Sequence, residues 1–308
     1  MKSIYPDNYG MDIEWVLSNV CNYQCNYCNE DLFGGKSGQP DLDAAVRFFE
    51  YIHKEVNSSP KMLTLTGGEP TMWPKLPNFL QSLDESYYVT IATNGSRTLK
   101  YWNKIADDMN RLTHLAVSLH LEYVDIEHII DVCKTIQDKC TITLLILADT
   151  KYWHLVEEYY NRLTESDLRV NINIKPVRDP FGMSYEYTDE QRDFISNTRY
   201  RGCKTPPPKG IPTNIIVDGE EKPFSYTREI LIDNKHNFKG WNCQLGKTRL
   251  VIWHNGQVRG AMCKTANDNA YGYMYDKDIK IDIDPIKCDT DFCNCLLDIR
   301  IPKWKQDV

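Results

Sequence analysis

No stretch of about 18 apolar residues occurs in this 308-residue chain, so a membrane-spanning helix is not expected. Met1-Lys2-Ser3-Ile4-Tyr5-Pro6 lacks the apolar segment of a secretory signal, and the expected compartment is the cytoplasm. An excess of basic charge is also missing. Lys and Arg number 36 against 43 Asp and Glu, and this net charge of -7 weighs against nucleic acid as the partner, because phosphate binding needs basic surface. Apolar residues at 42% suffice for a packed core, and the length fits one large domain or two smaller ones. Cysteine, by contrast, is plentiful, at 11 residues. Without an export signal a reducing compartment is expected, so these are thiols rather than disulfides, and metal clusters would account for most of them.

The densest chemistry lies in Cys21-Asn22-Tyr23-Gln24-Cys25-Asn26-Tyr27-Cys28. A mostly alternating run over 11–20 reads as a strand before it, and a Gly-rich polar segment over 30–40 reads as a loop after it. Three thiolates at this spacing can wrap one soft metal centre. A [4Fe-4S] cubane has four irons, so three cysteines leave one iron open to a substrate. A structural zinc site is the alternative, but zinc takes four N/S ligands and no fourth Cys or His lies close by. Three inert structural thiols are the remaining alternative, and such thiols rarely cluster.

This CxxxCxxC pattern, with aromatic Tyr27 before the third cysteine, resembles the radical SAM superfamily. Thr66-Gly67-Gly68-Glu69-Pro70 ends a short apolar run over 62–65 and matches that family's GGEP motif; Thr93-Asn94-Gly95 matches its TNG turn. The resemblance implies a [4Fe-4S] cluster held by Cys21, Cys25 and Cys28, whose open iron chelates the amino and carboxylate groups of S-adenosylmethionine. One electron would then cleave that molecule to methionine and a 5′-deoxyadenosyl radical, which takes a hydrogen atom from a substrate. By the same resemblance the carbonyls of Gly67 and Gly68, with Glu69, receive the methionine ammonium, and Pro70 completes that motif. Thr93 and Asn94 would lie near the ribose or the methionine carboxylate. The family's loose GxIxGxxE pattern is not recognisable over 141–147, which leaves apolar contact to adenine from Leu145 or Leu147. The glycine pair has its own physical reason, since glycine bends at positive φ and lets the backbone approach a ligand closely.

Hydrophobic periodicity predicts strands over 11–19, 62–66, 88–93, 112–120, 141–148 and 169–175. Helices over 42–56, 76–83, 98–109, 126–138 and 151–164 alternate with them. Beyond the first interval the strand ends recur about every 27 residues, the length of one βα unit. The first interval is about twenty residues longer, as expected for an inserted cofactor loop. Six such units, right-handed by default, make an α/β fold, a partial (β/α)6 barrel of the TIM type. Active sites gather at the C-terminal ends of such strands. Residues 21–28, 67–70, 93–95 and 118–120 and Lys175 would then face one opening, with Ser118 and His120 as candidates for its wall.

A helix is expected over 188–198. Cys203-Lys204-Thr205-Pro206-Pro207-Pro208-Lys209-Gly210 is a stiff linker, because three prolines forbid regular structure. The boundary is placed here, with the barrel over 1–200 and a small α+β domain over 201–308. In the latter, strands are expected over 214–217 and 225–232. Further runs over 248–253 and 257–262 flank His254-Asn255-Gly256, a hairpin signal. Cys243 and Cys263 bracket that hairpin, and Cys288, Cys293 and Cys295 follow. The spacing C-x12-G-x6-C with a later cysteine cluster resembles the auxiliary-cluster domains called SPASM and twitch. SPASM expects a tighter G-x4-C and more cysteines, so the resemblance is to the shorter twitch type, with one auxiliary [4Fe-4S] cluster. Five cysteines compete for four places: Cys243, Cys263 and Cys293, completed by Cys288 or Cys295. Were only three to bind, an open iron could hold substrate. Zinc suits the same spacing. Cys133 and Cys140 read as buried, inert thiols. Cys203 is a candidate hydrogen-atom donor to a substrate radical, as in some radical SAM epimerases.

The resemblance as a whole implies a radical SAM oxidoreductase or modifying enzyme served by a flavodoxin- or ferredoxin-type reductant. Its substrate would be a peptide or protein side chain, or else a small hydroxylated molecule such as a sugar or aminocyclitol that it dehydrogenates. Peptide-modifying members often carry an N-terminal winged-helix domain. About ten residues precede the first expected strand, so that domain is expected to be absent and the two substrate classes stay nearly level. A protein of another class, an iron-sulfur electron carrier or binding protein, would have no use for the GGEP surface. A zinc scaffold would be colourless where an iron-sulfur protein is brown.

Overall fold

The computed structural model describes residues 1–6, 10–35, 38–55, 60–108, 112–177, 185–198, 214–293 and 295–305. Strand β1 is Ser3–Pro6 and β2 is Met11–Ser18. Then come β3 Lys61–Gly67, β4 Tyr87–Thr93, β5 Leu112–Leu119, β6 Thr141–Ala148 and β7 Asn171–Pro176. Helices α1 Leu42–Glu55, α2 Leu76–Ser82, α3 Leu99–Asp108, α4 Ile126–Ile136 and α5 Trp153–Glu165 alternate with these strands. From β2 to β7 every neighbouring pair is parallel and in chain order. The reason lies in the period of two: Met11, Ile13, Trp15 and Leu17 are buried in one core with Phe49 of α1 and Phe79 of α2, while Asp12 and Glu14 turn to the other face. Each such buried Leu, Ile or Phe contributes about 1.5–3 kcal/mol, so this helix-on-sheet layer holds the parallel array. Helix α6, Asp189–Asn197, starts on the reciprocal capping bonds of Thr188 and Gln191.

The remaining chain supplies β8 Asn214–Val217, β9 Glu220–Pro223, α7 Tyr226–Ile232, β10 Asn242–Cys243, β11 Arg249–Ile252 and β12 Gln257–Arg259. After these come α8 Lys264–Asp268, β13 Gly272–Tyr273, β14 Ile286–Lys287, α9 Leu296–Ile299 and β15 Lys303–Trp304. Its strands join two sheets. The large sheet runs β13-β12-β11-β2-β3-β4-β5-β6-β7, and the small one β14-β10-β15-β1-β8-β9.

Several expectations change here. The first strand is Ser3–Pro6, not the one at Met11, and it lies in the small sheet between β15 and β8. The hairpin over 248–262 forms, with Gly256 at φ 87°, but β11 lies parallel beside β2. It therefore extends the large sheet instead of standing in a separate unit, because all four of its residues are buried. The expected division at 200/201 thus does not coincide with the sheets, and residues 199–213 around it lie outside the described residues. The stretch 225–232 is the helix α7, not a strand. Its buried Thr227 and Ile230 are three apart, a helical spacing. The partner of β8 is β9 instead, joined through Asp218 and Gly219, both at positive φ (53° and 86°), the geometry that matches strand twist in a two-residue hairpin. Among the described residues no helix is long and apolar enough to cross a membrane.

Candidate active site

The C-terminal ends of β2 to β5 open onto one pocket. Cys21, Cys25 and Cys28 line it from the loop after β2; Thr66, Gly67, Gly68 and Glu69 line it from β3; Thr93 and Asn94 from β4; Ser118 and His120 from β5. Tyr23 and Phe33 of the cysteine loop complete the wall.

Backbone contact between two of these segments sets the site. The amide of Gly68 donates to the Ser18 carbonyl at 2.8 Å, and that of Glu69 to the Val20 carbonyl at 2.8 Å. The chain that enters the cysteine loop is thereby fastened to the end of β3. A Cβ on Gly68 would fall 2.1 Å from the Val20 oxygen, and one on Gly67, at φ 119°, 2.5 Å from the Ser18 oxygen. The glycines are thus required by the approach of the chain to itself, in addition to any ligand. Gly68→Ala is expected to push the two segments apart by about 1 Å. A displacement of that size costs on the order of 100-fold in activity. Iron at the first cysteine group should fall with it, and iron analysis beside an activity assay checks this.

Glu69 is 1% exposed. Its Oε1 accepts from the Thr71 amide (3.0 Å), the Thr71 hydroxyl (2.6 Å) and the Thr93 hydroxyl (2.7 Å), and Oε2 accepts from the Asn94 amide (2.7 Å). Burial raises its pKa, and these four donors oppose the rise. Asn94 continues the network: its Nδ2 donates to Asn22 Oδ1 at 2.9 Å, and Asn22 Nδ2 donates to the Ser96 hydroxyl at 2.9 Å. One carboxylate and two side-chain amides therefore tie the cysteine loop, the β3 end and the β4 end together.

His120 closes the other side. Its Nδ1 lies 3.1 Å from Cys25 Sγ and 2.8 Å from the Tyr27 hydroxyl, and its ring stacks on that of Tyr27. Burial, helped by Lys175, pushes its pKa down to about 4. Tyr23 stacks on Tyr123, whose hydroxyl donates to the Gln24 carbonyl at 3.0 Å and so pins the loop. Burial and mutual repulsion push the Cys25 thiol up to about 12, and burial raises Cys21 and Cys28 as well. Three adjacent thiols become thiolates together only when a metal supplies positive charge. Among the described residues no three His, Cys, Asp or Glu side chains converge tightly enough for a single ion. Three thiols lining one pocket are a donor set that a [4Fe-4S] cluster accepts, whereas zinc takes four N/S ligands.

Residues 15–143, which hold the cysteine loop and β3 to β5, match the family model described as the Radical SAM superfamily. They are a radical SAM superfamily domain. Among curated relatives, a probable GTP 3',8-cyclase of Archaeoglobus fulgidus is 27% identical over 124 residues, covering 39% of this chain and 40% of that protein. A 7-carboxy-7-deazaguanine synthase of Neisseria meningitidis serogroup B is 31% identical over 90 residues, covering 29% of this chain and 38% of that one. The chain therefore spans about two fifths of the length of these relatives. The solved structure of native anSMEcpe with bound AdoMet matches at TM-score 0.52 and 14% identity, over 87% of this chain and 78% of that one. The same values hold for that protein with AdoMet and Kp18Cys peptide. At such identity the likeness is one of fold, an α/β fold with a mixed sheet.

Outside the radical SAM domain a second cysteine group forms. Cys243 and Cys293 are buried, and Cys288 packs against the apolar clusters of both. Cys263, at the start of α8, packs against the apolar cluster that contains Cys243. Thiolate charges at Cys243, Cys263, Cys288 and Cys293 act on one another: Cys243 is raised to about 11 and Cys293 to about 12, by burial first, eased by Lys303. Cys295 stands at the start of α9. Burial raises it, and its charged neighbours are Asp298 and Arg249.

The remaining predicted residues lie farther out. Pro70 is buried at the start of a short 3-10 turn, Tyr27 reaches the pocket through His120, and Leu145 sits in register with Ser118 on the next strand. Cys203 lies outside the described residues. Burial pushes Cys133 and Cys140 up to about 12. The spacing of the motifs did not reveal Asn22, Thr71 or Ser96, which carry the network around Glu69.

Proposed function

We propose that this chain is a radical SAM enzyme, with Cys21, Cys25 and Cys28 holding a [4Fe-4S] cluster that leaves one iron for S-adenosylmethionine. The observation that carries this is the convergence of three cysteines, the Gly67-Gly68 backbone, Glu69, Asn94 and His120 on one pocket. In this reading β2 to β7 are a partial (β/α)6 barrel, and 201–308 contributes a twitch-like auxiliary part. Bound there, the cluster and S-adenosylmethionine supply a 5′-deoxyadenosyl radical for hydrogen-atom abstraction. The chain's own part is positional. The carbonyls of Gly67 and Gly68 face the methionine ammonium, joined by Glu69 Oε2, which has one donor against three on Oε1. Thr93 and Asn94 hold the ribose side, and Leu145 stands toward adenine. His120, neutral at pH 7, shields Cys25 from water together with Tyr27. A flavodoxin- or ferredoxin-type protein delivers the electron.

The second cluster is assigned to Cys243, Cys263, Cys288 and Cys293. The packing of Cys288 against the apolar clusters that hold Cys243 and Cys293 supports Cys288 over Cys295. The substrate assigned is a peptide or protein side chain, supported by the likeness in fold to a protein solved with a bound peptide. A second reading is dehydrogenation of a small hydroxylated molecule such as a sugar or aminocyclitol; the curated relatives, whose names refer to GTP and a deazaguanine, support a small-molecule substrate but not the oxidation. Anaerobically reconstituted, dithionite-reduced protein is expected to form 5′-deoxyadenosine slowly from S-adenosylmethionine without substrate. A protein loaded with iron and sulfide that neither forms it nor binds S-adenosylmethionine, by electron paramagnetic resonance, would be a carrier instead.

A further inference from the structure

Lys303 sits where an ammonium is costly. It is 2% exposed, and taking an ammonium out of water costs free energy unless a partner offsets it. Strand pairing puts it directly opposite Cys243, and cross-strand partners of this kind share a sheet face. Its Nζ lies 3.9 Å from Cys293 Sγ, donates to the Asp298 backbone carbonyl at 2.8 Å, and stands over the Phe238 ring at 4.6 Å. Asp298 turns its carboxylate to Arg249 and offers Lys303 only that carbonyl. Among the described residues no carboxylate makes an ion pair with Lys303. A buried charge of this kind needs a counter-charge; the acidic groups around it are the Asp298 carboxylate, already held by Arg249, and the cysteine sulfurs, Cys293 at 3.9 Å and Cys243 directly across the strand pair. The other buried cation nearby, Arg249, is already engaged by Asp12, Glu14 and Asp298.

We propose that Lys303 is the buried counter-cation of the second iron-sulfur cluster and raises that cluster's reduction potential. This rests on the reading of Cys243, Cys263, Cys288 and Cys293 as its ligands. A cubane on four thiolates is an anion, and reduction adds one further negative charge. A positive charge fixed close by, in a core that excludes water, stabilises the reduced form more than the oxidised one. Lys303 is thus a positioning residue in the electrostatic sense: it acts through the cluster and touches no substrate.

The test is a redox titration followed by electron paramagnetic resonance on the full chain, anaerobically reconstituted. The first cluster is removed by Cys21→Ala, Cys25→Ala and Cys28→Ala so that the second is read alone. In that background Lys303→Met is expected to keep its iron and to lower the potential. At a fixed applied potential the reduced-to-oxidised ratio should fall at least tenfold, which is ~59 mV for one electron. Lys303→Arg, which keeps the charge, should stay close to the parent. An unchanged potential in Lys303→Met overturns the proposal. Should Lys303→Met lose its iron, Lys303→Arg decides: iron and potential retained support the charge, and iron lost in both variants overturns it in favour of a purely steric need. Loss of all iron in the background with Lys303 in place would refute the second cluster itself, and the proposal with it.

Discussion

Arg249→Ala is expected to destabilise the folded chain by about 3–5 kcal/mol, the cost of leaving buried charges without their partner. The guanidinium is 1% exposed and engages three carboxylates: Nη1 donates to Asp12 at 2.6 Å, Nη2 to Glu14 at 2.6 Å and Nε to Asp298 at 2.8 Å. Burial raises the pKa of Asp12, opposed by Arg249, whose own pKa the three carboxylates raise. Removing the arginine leaves three acids facing one another, one of them buried and two partly exposed. The consequence reaches the site, because Asp12 and Glu14 lie on β2, the strand that delivers the cysteine loop, and Asp298 lies beside the second cysteine group. Arg249→Lys keeps the charge but not the three-way fork, and should fall between. Urea unfolding is the measurement. A loss below about 1 kcal/mol, the value of an exposed pair, would mean that this cluster does not clasp α9 to the large sheet.

Combined Cys21→Ala, Cys25→Ala and Cys28→Ala is expected to bring 5′-deoxyadenosine formation down to background and to remove about half of the bound iron. The remaining half should stay with the second group, which shares no residue with the first. Three thiols raised by burial release their protons when they bind metal, so wild-type reconstitution should release more protons than the variant does. Cleavage that survives the triple replacement would contradict the first site. Iron lost completely would contradict the existence of two.

Much of the molecule was legible before its structure. CxxxCxxC and GGEP are local spacings that carry their chemistry within a few residues. The recurrence of about 27 residues between strand ends placed them on one side of a parallel sheet. The strand over 141–148 and that over 214–217 fall where periodicity puts them, because alternating burial on a pleated backbone is a short-range property. The helix over 226–232 was misread because seven residues hold two turns at most, too few to separate a period of 3.6 from one of 2.

Tertiary structure decided the rest. β1 pairs with β8 across more than two hundred residues, and Asp12 meets Arg249 across 237. Such contacts leave no periodic trace, since their energy comes from burial and charge pairing and not from any local backbone preference. Strands of two residues, such as β10 and β15, have no pattern to read, yet they set Lys303 against Cys243. The same holds for Gly68, whose place is dictated by the Val20 carbonyl, and for Glu69, held by Thr71, Thr93 and Asn94. Spacing alone named the candidate residues. The three-dimensional packing determined which of them meet and which charges stand beside them, because burial turns a neighbour a few ångströms away into a partner whose charge water no longer screens.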